Sequence, residues 1–502
     1  MSVNQALPRA RPRTFGVELE FIILWLWNDE PDPYQDEAGE LAPILRIPRD
    51  HSTTLTYTDI EKIIYDMICD VLNSHGLPAQ RWQRAPEYSS WAVKPDVSIM
   101  LTGEKVNWHC VELTSPAERA SPDAFKAISY ALDLISSTYR IMVNDTCGFH
   151  VHVGDGKETM PLEHVRRVAS LLWAADPIIA TLHPPERRTN PFSRSIREYS
   201  PLARGKKIAD VLSQANHSEE HTCIRYIGRS HRHGEQPISW RIENQQMKHV
   251  LAFEDSRAQG SYNPFFYDET KGPSGGTIAP QTTDPGPGPG PTASEMETHI
   301  EEVIKTIDVS KLTYLNSAYS PTIKRLGPRF SLPERGPDIV ENWLVELDER
   351  AKTDIGVFAA VSEIYACESS CVVLLLLETR ERPNYNLLRY ICYNLMDPGT
   401  NDPTIEFRQA AGTTSGEWAE IWARICVGLI DFAIHAPPDR FISVLEHLEY
   451  ATSGEASYDV VDLLDEIGLF AESVFAEKRL TQYKDEWGLK YESESQEKND
   501  LP

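Results

Sequence analysis

Three segments of this chain place ionisable side chains at alternate positions within runs of β-branched and aromatic residues. They are FGVELEF at 15–21, CGFHVHVG at 147–154 and TIEFRQAAGT at 404–413. Alternate residues of a β-strand point to the same face, so each run predicts a strand with one apolar and one ionisable face. The ionisable pairs are Glu18 and Glu20, His150 and His152, and Glu406 and Arg408. A fold for this chain must therefore contain a sheet with one chemically unusual face.

The face that carries the glutamates is predicted to be covered. A water-exposed face would also alternate, but lysine, threonine and serine usually coat such a face. Here Ile22 and Leu24 continue the glutamate face of the first strand. Carboxylates buried about 7 Å apart along a strand are costly unless a cation lies between them. The pattern therefore indicates a metal site.

The chemistry of the donors suggests which metal is bound. VELTSP at 111–116 adds Glu112 to the set, on a further predicted strand. Oxygen-rich sites of this kind favour Mg²⁺ or Mn²⁺ over Zn²⁺. Magnesium in proteins commonly accompanies phosphate, and a guanidinium such as that of Arg408 can bind a phosphoryl group through two hydrogen bonds. We therefore predict metal ligation by four glutamates, with His150, His152 and Arg408 reaching into a nucleotide pocket: Glu18, Glu20, Glu112 and Glu406.

The order of predicted elements favours an α+β fold with an antiparallel sheet. Strands and helices mix without the regular alternation of a parallel sheet. Helical patterns occupy 58–75 (with Thr58 as N-cap), 121–143, 161–182, 298–306, 339–351, 384–396, 417–436, 439–449 and 458–480. We predict a flexible lead at 1–13, a catalytic domain at 14–437 with a polar, Pro/Gly-rich insertion at about 184–297, C-terminal helices at 438–483 and a disordered charged tail at 484–502.

The charge of the chain limits its partners. Its 75 acidic and 49 basic side chains give a net charge of −26, which disfavours nucleic acid and anionic membranes. No stretch approaches the ~20 apolar residues of a membrane helix, and CVVLLLL at 371–377 is predicted to be core. The eight scattered cysteines are typical of reduced thiols. We expect a cytoplasmic protein; its oligomeric state is not indicated.

Four motifs together resemble the amidoligase family. FGVELEF, VELTSP, CGFHVHVG and TIEFRQAAGT occur in that order and precede a Trp-bearing helix. The family is part of the carboxylate-amine ligase superfamily, with glutamine synthetase and glutamate-cysteine ligase as relatives. The resemblance covers about 14–183 and 380–436. It implies an antiparallel sheet whose concave face holds ATP and two or three Mg²⁺ ions, with helices packed behind.

The resemblance also implies roles for individual residues. It matches the four glutamates, both histidines and Arg408 to the family's motifs, and it matches Asp96 and Ser98 in KPDVSI to its Asp-x-Ser. An enzyme of this kind uses ATP to convert a carboxylate to an acyl phosphate, which an amine then attacks. Arg408 would stabilise the transferring phosphoryl group, and Asp96 would position the amine or accept its proton. The chain departs from the family at Ala410, where a histidine is frequent, and in its long insertion.

The expected partners are small-molecule or peptide carboxylates and amines, and two other classes of function stay open. A metal-dependent hydrolase could use His150 and His152 as ligands, but it would need further histidines, and after His299 only His435 and His447 occur, both in helical patterns. A non-catalytic relative could bind nucleotide on the same sheet.

Three weaker signals have simpler interpretations. The histidines and cysteine at 217, 221, 223, 231 and 233 lack paired cysteines and are interpreted as a solvated loop. Cys147 is interpreted as a small buried residue. Residues 386, 390 and 394 fall on one face of a predicted helix and could line a pocket.

Overall fold

The computed structural model describes fourteen parts of the chain. They are residues 12–33, 41–49, 55–82, 88–96, 98–100, 107–156, 158, 160–211, 328–335, 349–368, 370–377, 383–387, 403–453 and 458–492. The remaining residues include most of the insertion with its 217–233 histidine cluster, the predicted helix at 298–306, most of the one at 339–351, positions 390 and 394, and the end of the tail. Those predictions lie outside the described residues.

A largely antiparallel ten-stranded sheet organises the described chain. Its strands are β1 (Thr14–Trp27), β2 (Leu45–Ile47), β3 (Ala79–Arg81), β4 (Trp91–Lys94), β5 (Trp108–Thr114), β6 (Glu118–Arg119), β7 (Ile141–Met142), β8 (Gly148–Gly154), β10 (Tyr385–Asn386) and β11 (Thr404–Ala411). The main path runs β10-β11-β8-β1-β5-β4-β3, with β2, β6 and β7 also paired to β1. A separate antiparallel pair joins β9 (Arg329–Ser331) to β12 (Lys490–Glu492). The prediction of an α+β fold with an antiparallel sheet is confirmed.

Helices cover the apolar face of this sheet. They are α1 (Tyr57–Ser74), α2 (Pro122–Thr138), α3 (Leu162–Ile179), α4 (Glu186–Thr189), α5 (Ile196–Tyr199), α6 (Val357–Tyr365), α7 (Ser370–Leu377), α8 (Gly416–His435), α9 (Pro438–Ser453), α10 (Val460–Glu466) and α11 (Phe470–Tyr483). Helix α8 packs against α2, α3 and β8. The apolar alternate residues of β1, from Phe15 to Ile23, join the main core that these helices complete. The 371–377 run lies in buried helix α7, as predicted. Among the described residues, no helix is long and apolar enough to cross a membrane.

Several element boundaries differ from the sequence predictions. Helix α1 begins after Thr56, not Thr58, because Thr56 accepts from the Asp59 N–H while Asp59 accepts from the Thr56 N–H, a capping box. Helix α2 ends at Thr138, and Ile141–Met142 instead pair with β1. The helix predicted at 384–396 is wrong at its start, where Tyr385 and Asn386 form the edge strand β10.

The predicted lead and tail are more ordered at their inner ends than expected. Arg13 is buried and its guanidinium forms ion pairs with Asp155 and Asp431. At the other end, Trp487 and Leu489 are buried within the segment predicted to be a disordered tail. The Trp487 ring stacks on Tyr483, which brings Lys490–Glu492 into register with β9. Ion pairs of Arg13 thus anchor the end of the lead, and buried apolar side chains anchor the start of the tail.

The first part of the predicted insertion is also folded. Residues 184–211 contain α4 and α5, and most of them are buried. Four of the polar side chains in this part are arginines whose stems pack while their guanidinium groups hydrogen-bond with protein groups: Arg187, Arg188, Arg194 and Arg197. Arg187, for example, donates to the backbone carbonyls of Arg408 and Gln409 at the end of β11. The polar, irregular description therefore does not fit residues 184–211.

Candidate carboxylate centre

The strand register gathers the predicted ligands on one face of the sheet. Residues directly opposite each other on paired strands point to the same face. Glu18 lies opposite His150 on β8 and Thr114 on β5, and Glu20 lies opposite Glu112. On the other side of β8, His152 lies opposite Glu406. Three neighbouring pairings therefore bring four glutamates and two histidines together.

These side chains are removed from water. Glu18, Glu20, Glu112, Glu406, His150 and Arg408 are all buried, none more than 8% exposed, and the side chain of His152 is 12% exposed. One side is closed by a small apolar cluster of Ile22, Ile99 and Cys147, which continues the glutamate face of β1. Segment 183–195 lies over β11, where the Phe192 carbonyl accepts from the Arg408 Nε. The face is covered, as the sequence pattern predicts.

His150 is at the middle of the cluster. Its Nδ1 lies 3.1 Å from Glu18 Oε2 and 3.6 Å from Glu406 Oε1, and its Nε2 lies 3.6 Å from Glu20 Oε1. Burial, with a contribution from Arg408, lowers the pKa of His150 to about 4. The imidazole is therefore neutral at pH 7 and has a lone pair available for a metal ion.

Burial raises the pKa of two of the glutamates. Burial, helped by the charge of Asp96, raises the pKa of Glu20 to about 8, although the Gly148 N–H donates to its Oε2 at 2.6 Å. Burial and the neighbouring Glu18 raise the pKa of Glu112 well above its usual range. Burial thus makes the ionised form of these carboxyls costly, and a bound cation would offset that cost.

Lys94 is the residue of this centre that the sequence analysis missed. Its Nζ lies 2.7 Å from Glu112 Oε1 and 3.8 Å from Glu18 Oε1. The register of β4 on β5 places Lys94 directly opposite Glu112. The signal was present in WAVK at 91–94, where buried Trp91 and Val93 alternate with Ala92 and Lys94, and Lys94 is itself the first residue of the KPDVSI motif.

The remaining predicted residues lie around this core. Arg408 Nη1 donates to one carboxylate oxygen of Glu406, and Asn386 Nδ2 donates to the other oxygen of Glu406 at 2.9 Å. Asn386 thus reaches the site from a strand, not from the predicted helix. His152 has its Nε2 3.4 Å from Glu18 and its Nδ1 3.3 Å from Thr404 Oγ1. Asp96 accepts hydrogen bonds from Ser98, and Ala410 is buried in the main core beyond a bulge in β11.

The donor set suits a hard divalent cation. Glu18, His150 and Glu406 each offer one ligand atom, and these atoms lie within 4.8 Å of one another. Two ligands on opposite sides of a Mg²⁺ ion lie about 4.2 Å apart, so modest side-chain movement would suffice. If ionised, the four carboxylates exceed the Lys94 and Arg408 charges by two. One divalent cation would balance that excess.

Cys147 lies beside the centre but is not suited to covalent catalysis. It is fully buried, and burial raises the pKa of its thiol to about 12. A thiol in this state is a poor nucleophile at neutral pH. Its interpretation as a small buried residue agrees with this environment.

Comparison with known proteins identifies a family for the first part of the chain. Residues 11–207 match a family described as "Putative amidoligase enzyme". No curated protein and no solved structure gives a significant match. The matched range contains β1 to β8 with Glu18, Glu20, Glu112, His150 and His152, and it continues through α4 and α5. The resemblance predicted from the motifs is confirmed, and the match indicates a ligase-type enzyme.

Proposed function

From the match of residues 11–207 to the amidoligase family, we propose that this protein is an ATP- and Mg²⁺-dependent ligase that joins a carboxylate to an amine. The observation that carries the proposal is the convergence of Glu18, His150 and Glu406 from three strands into one buried group of possible metal ligands. We also propose that the sheet is of the type found in glutamine synthetase and glutamate-cysteine ligase. An antiparallel sheet with helices on one face and the acids on the other supports this.

The metal ions would be held by the glutamates, with Glu18, Glu406 and His150 as the first set and Glu20 and Glu112 as a neighbouring pair. When bound, Mg²⁺ or Mn²⁺ would neutralise phosphate oxygens that the acidic face would otherwise repel. Because burial raises the pKa values of Glu20 and Glu112, a bound cation would lower both values and favour the ionised carboxylates. The four acids therefore serve as a binding platform, not as bases.

The reaction needs an activated acid, because a carboxylate and an amine do not condense in water. Transfer of the terminal phosphoryl group of ATP to a carboxylate oxygen would give an acyl phosphate and ADP. Attack by the amine nitrogen on the acyl carbon would then form the amide, with phosphate leaving and one proton lost from nitrogen.

The chain supplies two groups for these steps. Arg408 is buried, and its guanidinium is held by Glu406 and by the Phe192 carbonyl. A cation fixed in this way can stabilise charge on the phosphoryl group without reorganising. Asp96 is only half-buried and lies close enough to Glu20 to raise its pKa, so it could receive the amine's proton at the edge of the centre.

A scan of amino acids, dicarboxylates and polyamines for amine-dependent release of ADP, with ATP and Mg²⁺, tests this proposal. Mass spectrometry should detect a product heavier than the acid by the mass of the amine minus water. Glu18→Gln, Glu112→Gln and Arg408→Ala should each reduce this activity by a factor of at least 100, with the cooperative unfolding transition retained. The exposed Glu118→Gln provides a matched control and should retain wild-type activity.

Two further outcomes separate the alternatives. Cleavage of added amides or esters without ATP would favour the hydrolase, for which the two histidines are the supporting observation. ATP binding with no amine-dependent turnover across the scan would favour a non-catalytic nucleotide-binding protein. Full activity in all three variants would refute the assignment of the centre.

A further inference from the structure

A second cavity lies outside the carboxylate centre. Its volume is about 540 Å³, within the range of small-molecule sites. The end of α3, the helices α4 and α5, the β9 region and the segment 350–354 form its walls. No described residue that lines it is one of the four glutamates, Lys94, His150 or His152. The cavity is therefore a separate space.

The walls of this cavity are basic, although the whole chain is acidic. Six lining side chains are cationic and three are anionic, which leaves an excess of three positive charges: Arg187, Arg188, Arg197, Arg335, Arg350 and Lys352 against Asp176, Glu198 and Asp354. Glu198 is shared, since Arg188 and Arg335 approach its two oxygens at 2.7 and 2.8 Å. In a chain with a net charge of −26, so local a reversal of sign concentrates anions there.

Arg187 is one of two deeply buried cations in this wall, with Arg197. It is 4% exposed, and its Nε and Nη2 donate only to backbone carbonyls, at 3.3 and 2.9 Å. Its Nη1 has no hydrogen-bond partner among the described residues, and no described carboxylate lies within 4.0 Å of the guanidinium. Glu20 and Asp145 act on this charge only from a distance. A buried guanidinium that no carboxylate contacts directly is costly, and a bound anion would lower that cost.

His183 adds a second unsatisfied group to the same wall. It is 2% exposed, and neither ring nitrogen has a hydrogen-bond partner in the described part of the chain. Its ring packs edge-on against Trp422 at 4.5 Å between centroids, which fixes its orientation. A neutral imidazole carries one N–H, so this ring can donate to a ligand oxygen.

We propose that this cavity binds a small anion that carries phosphate or carboxylate groups at two or more points. Arg187 and His183 contact one group at the buried end, and the exposed Arg350 and Lys352 contact another nearer to solvent. A multiply charged anion satisfies both ends at once, which a single chloride or acetate does not. Because Arg187 also holds the carbonyls of Arg408 and Gln409, the bound anion lies against the strand that carries Glu406 and Arg408.

Calorimetry on the full-length protein, freed of metal on a chelating resin, tests this proposal. Pyrophosphate and citrate serve as the probes, at constant ionic strength. Without metal the carboxylate centre has no excess of cations, so anion binding reports on the cavity. We expect one molecule to bind per chain, and acetate to bind at least tenfold more weakly. Saturable binding of pyrophosphate alone identifies phosphate as the preferred group, and binding of citrate alone identifies carboxylate.

A double variant of exposed residues locates the binding without disturbing buried contacts. Arg350→Gln with Lys352→Gln should weaken binding by at least tenfold. Lys126→Gln with Lys478→Gln removes the same charge from exposed positions elsewhere and should leave binding unchanged. Equal weakening in both double variants, or no saturable binding of either probe at millimolar concentration, would overturn the proposal.

The result is independent of the proposed function. The measurement uses neither ATP, Mg²⁺ nor an amine, so an inactive ligase would not affect it. Glu18→Gln, which should abolish the ligase reaction, should leave anion binding in the cavity unchanged. Loss of binding in Glu18→Gln would assign the anion to the carboxylate centre and refute the separate site.

Discussion

At the scale of single residues, Lys94 is a cation that lies beside two of the buried glutamates of the carboxylate centre. Its ammonium group contacts Glu112 at 2.7 Å and lies 3.8 Å from Glu18. It therefore provides part of the positive charge that the buried acids require. The same carboxylate oxygens are those that a divalent cation would use. Lys94 and the metal should compete for them.

Lys94→Gln is expected to destabilise the metal-free protein by roughly 2 kcal/mol. Removing one partner of a buried pair leaves the other uncompensated, and the loss is reduced here because Lys94 is about one-third exposed. Addition of Mn²⁺ should restore stability more fully than in the wild type, because the ion no longer displaces an ammonium group. Urea unfolding with and without Mn²⁺ measures both effects.

Lys478→Gln is the matched control for this prediction. Lys478 is exposed on α11, so its loss should change the free energy of unfolding by less than about 0.5 kcal/mol. If Lys94→Gln changed the free energy of unfolding of the metal-free protein equally little, the ion pair between Lys94 and Glu112 would contribute nothing to stability.

At the scale of elements, helix α1 shows how one capping interaction sets a boundary. The sequence pattern predicts Thr58 as the N-cap, and Thr58 has an acid, Glu61, three residues later. The structure instead begins the helix after Thr56, which exchanges hydrogen bonds with Asp59 in a capping box. The choice matters for the site because α1 packs on β3 and β4, and β4 carries Lys94.

Thr56→Ala should lower the free energy of unfolding by about 1 kcal/mol, because it removes the hydroxyl of the capping box and leaves the Asp59 N–H only the Thr56 carbonyl as acceptor. Thr58→Ala changes the same residue type two positions later and should lower the free energy of unfolding by no more than about a few tenths of a kcal/mol. Chemical denaturation of the two variants, side by side, measures the difference. The reverse ranking would show that the helix begins at Thr58.

At the scale of the whole molecule, the buried acids make stability depend on pH. The pKa of Glu20 is about 8 in the folded protein and near 4.5 when the chain is unfolded. Between these values the folded state binds a proton that the unfolded state lacks, so folding is favoured at the acidic end. This contribution is lost as the pH rises through about 8. Glu112 acts in the same direction.

In the metal-free protein, the contribution of this centre to the free energy of unfolding should therefore be larger at pH 5.5 than at pH 8.5. At 1.36 kcal/mol per pKa unit, the shift of Glu20 alone makes this difference roughly 3 kcal/mol. Glu20→Gln should make the dependence on pH clearly shallower, while Glu118→Gln should not change it. Unfolding midpoints measured at four pH values provide the test; parallel profiles for both variants would contradict the assigned pKa.

Local sequence was sufficient for much of the fold and of the site. The strand predicted from FGVELEF at 15–21 lies within β1, and the helices α2, α3 and α8 were predicted at their N-termini to within one residue. Alternation placed Glu18 with Glu20, and His150 with His152, each pair on one face. These features depend on the twofold repeat of a strand and on capping residues, which are local properties.

Only the tertiary structure decided what joins these elements. The pairings that set Lys94 against Glu112, and His152 against Glu406, depend on strand register between segments up to 254 positions apart. The burial of Arg187 depends on α4 packing onto β11, far along the chain. The sequence alone determined which side chains share a strand face, because that is fixed by backbone geometry. Which strands meet, and which charges are then left without a partner, follows from long-range packing that no local pattern encodes.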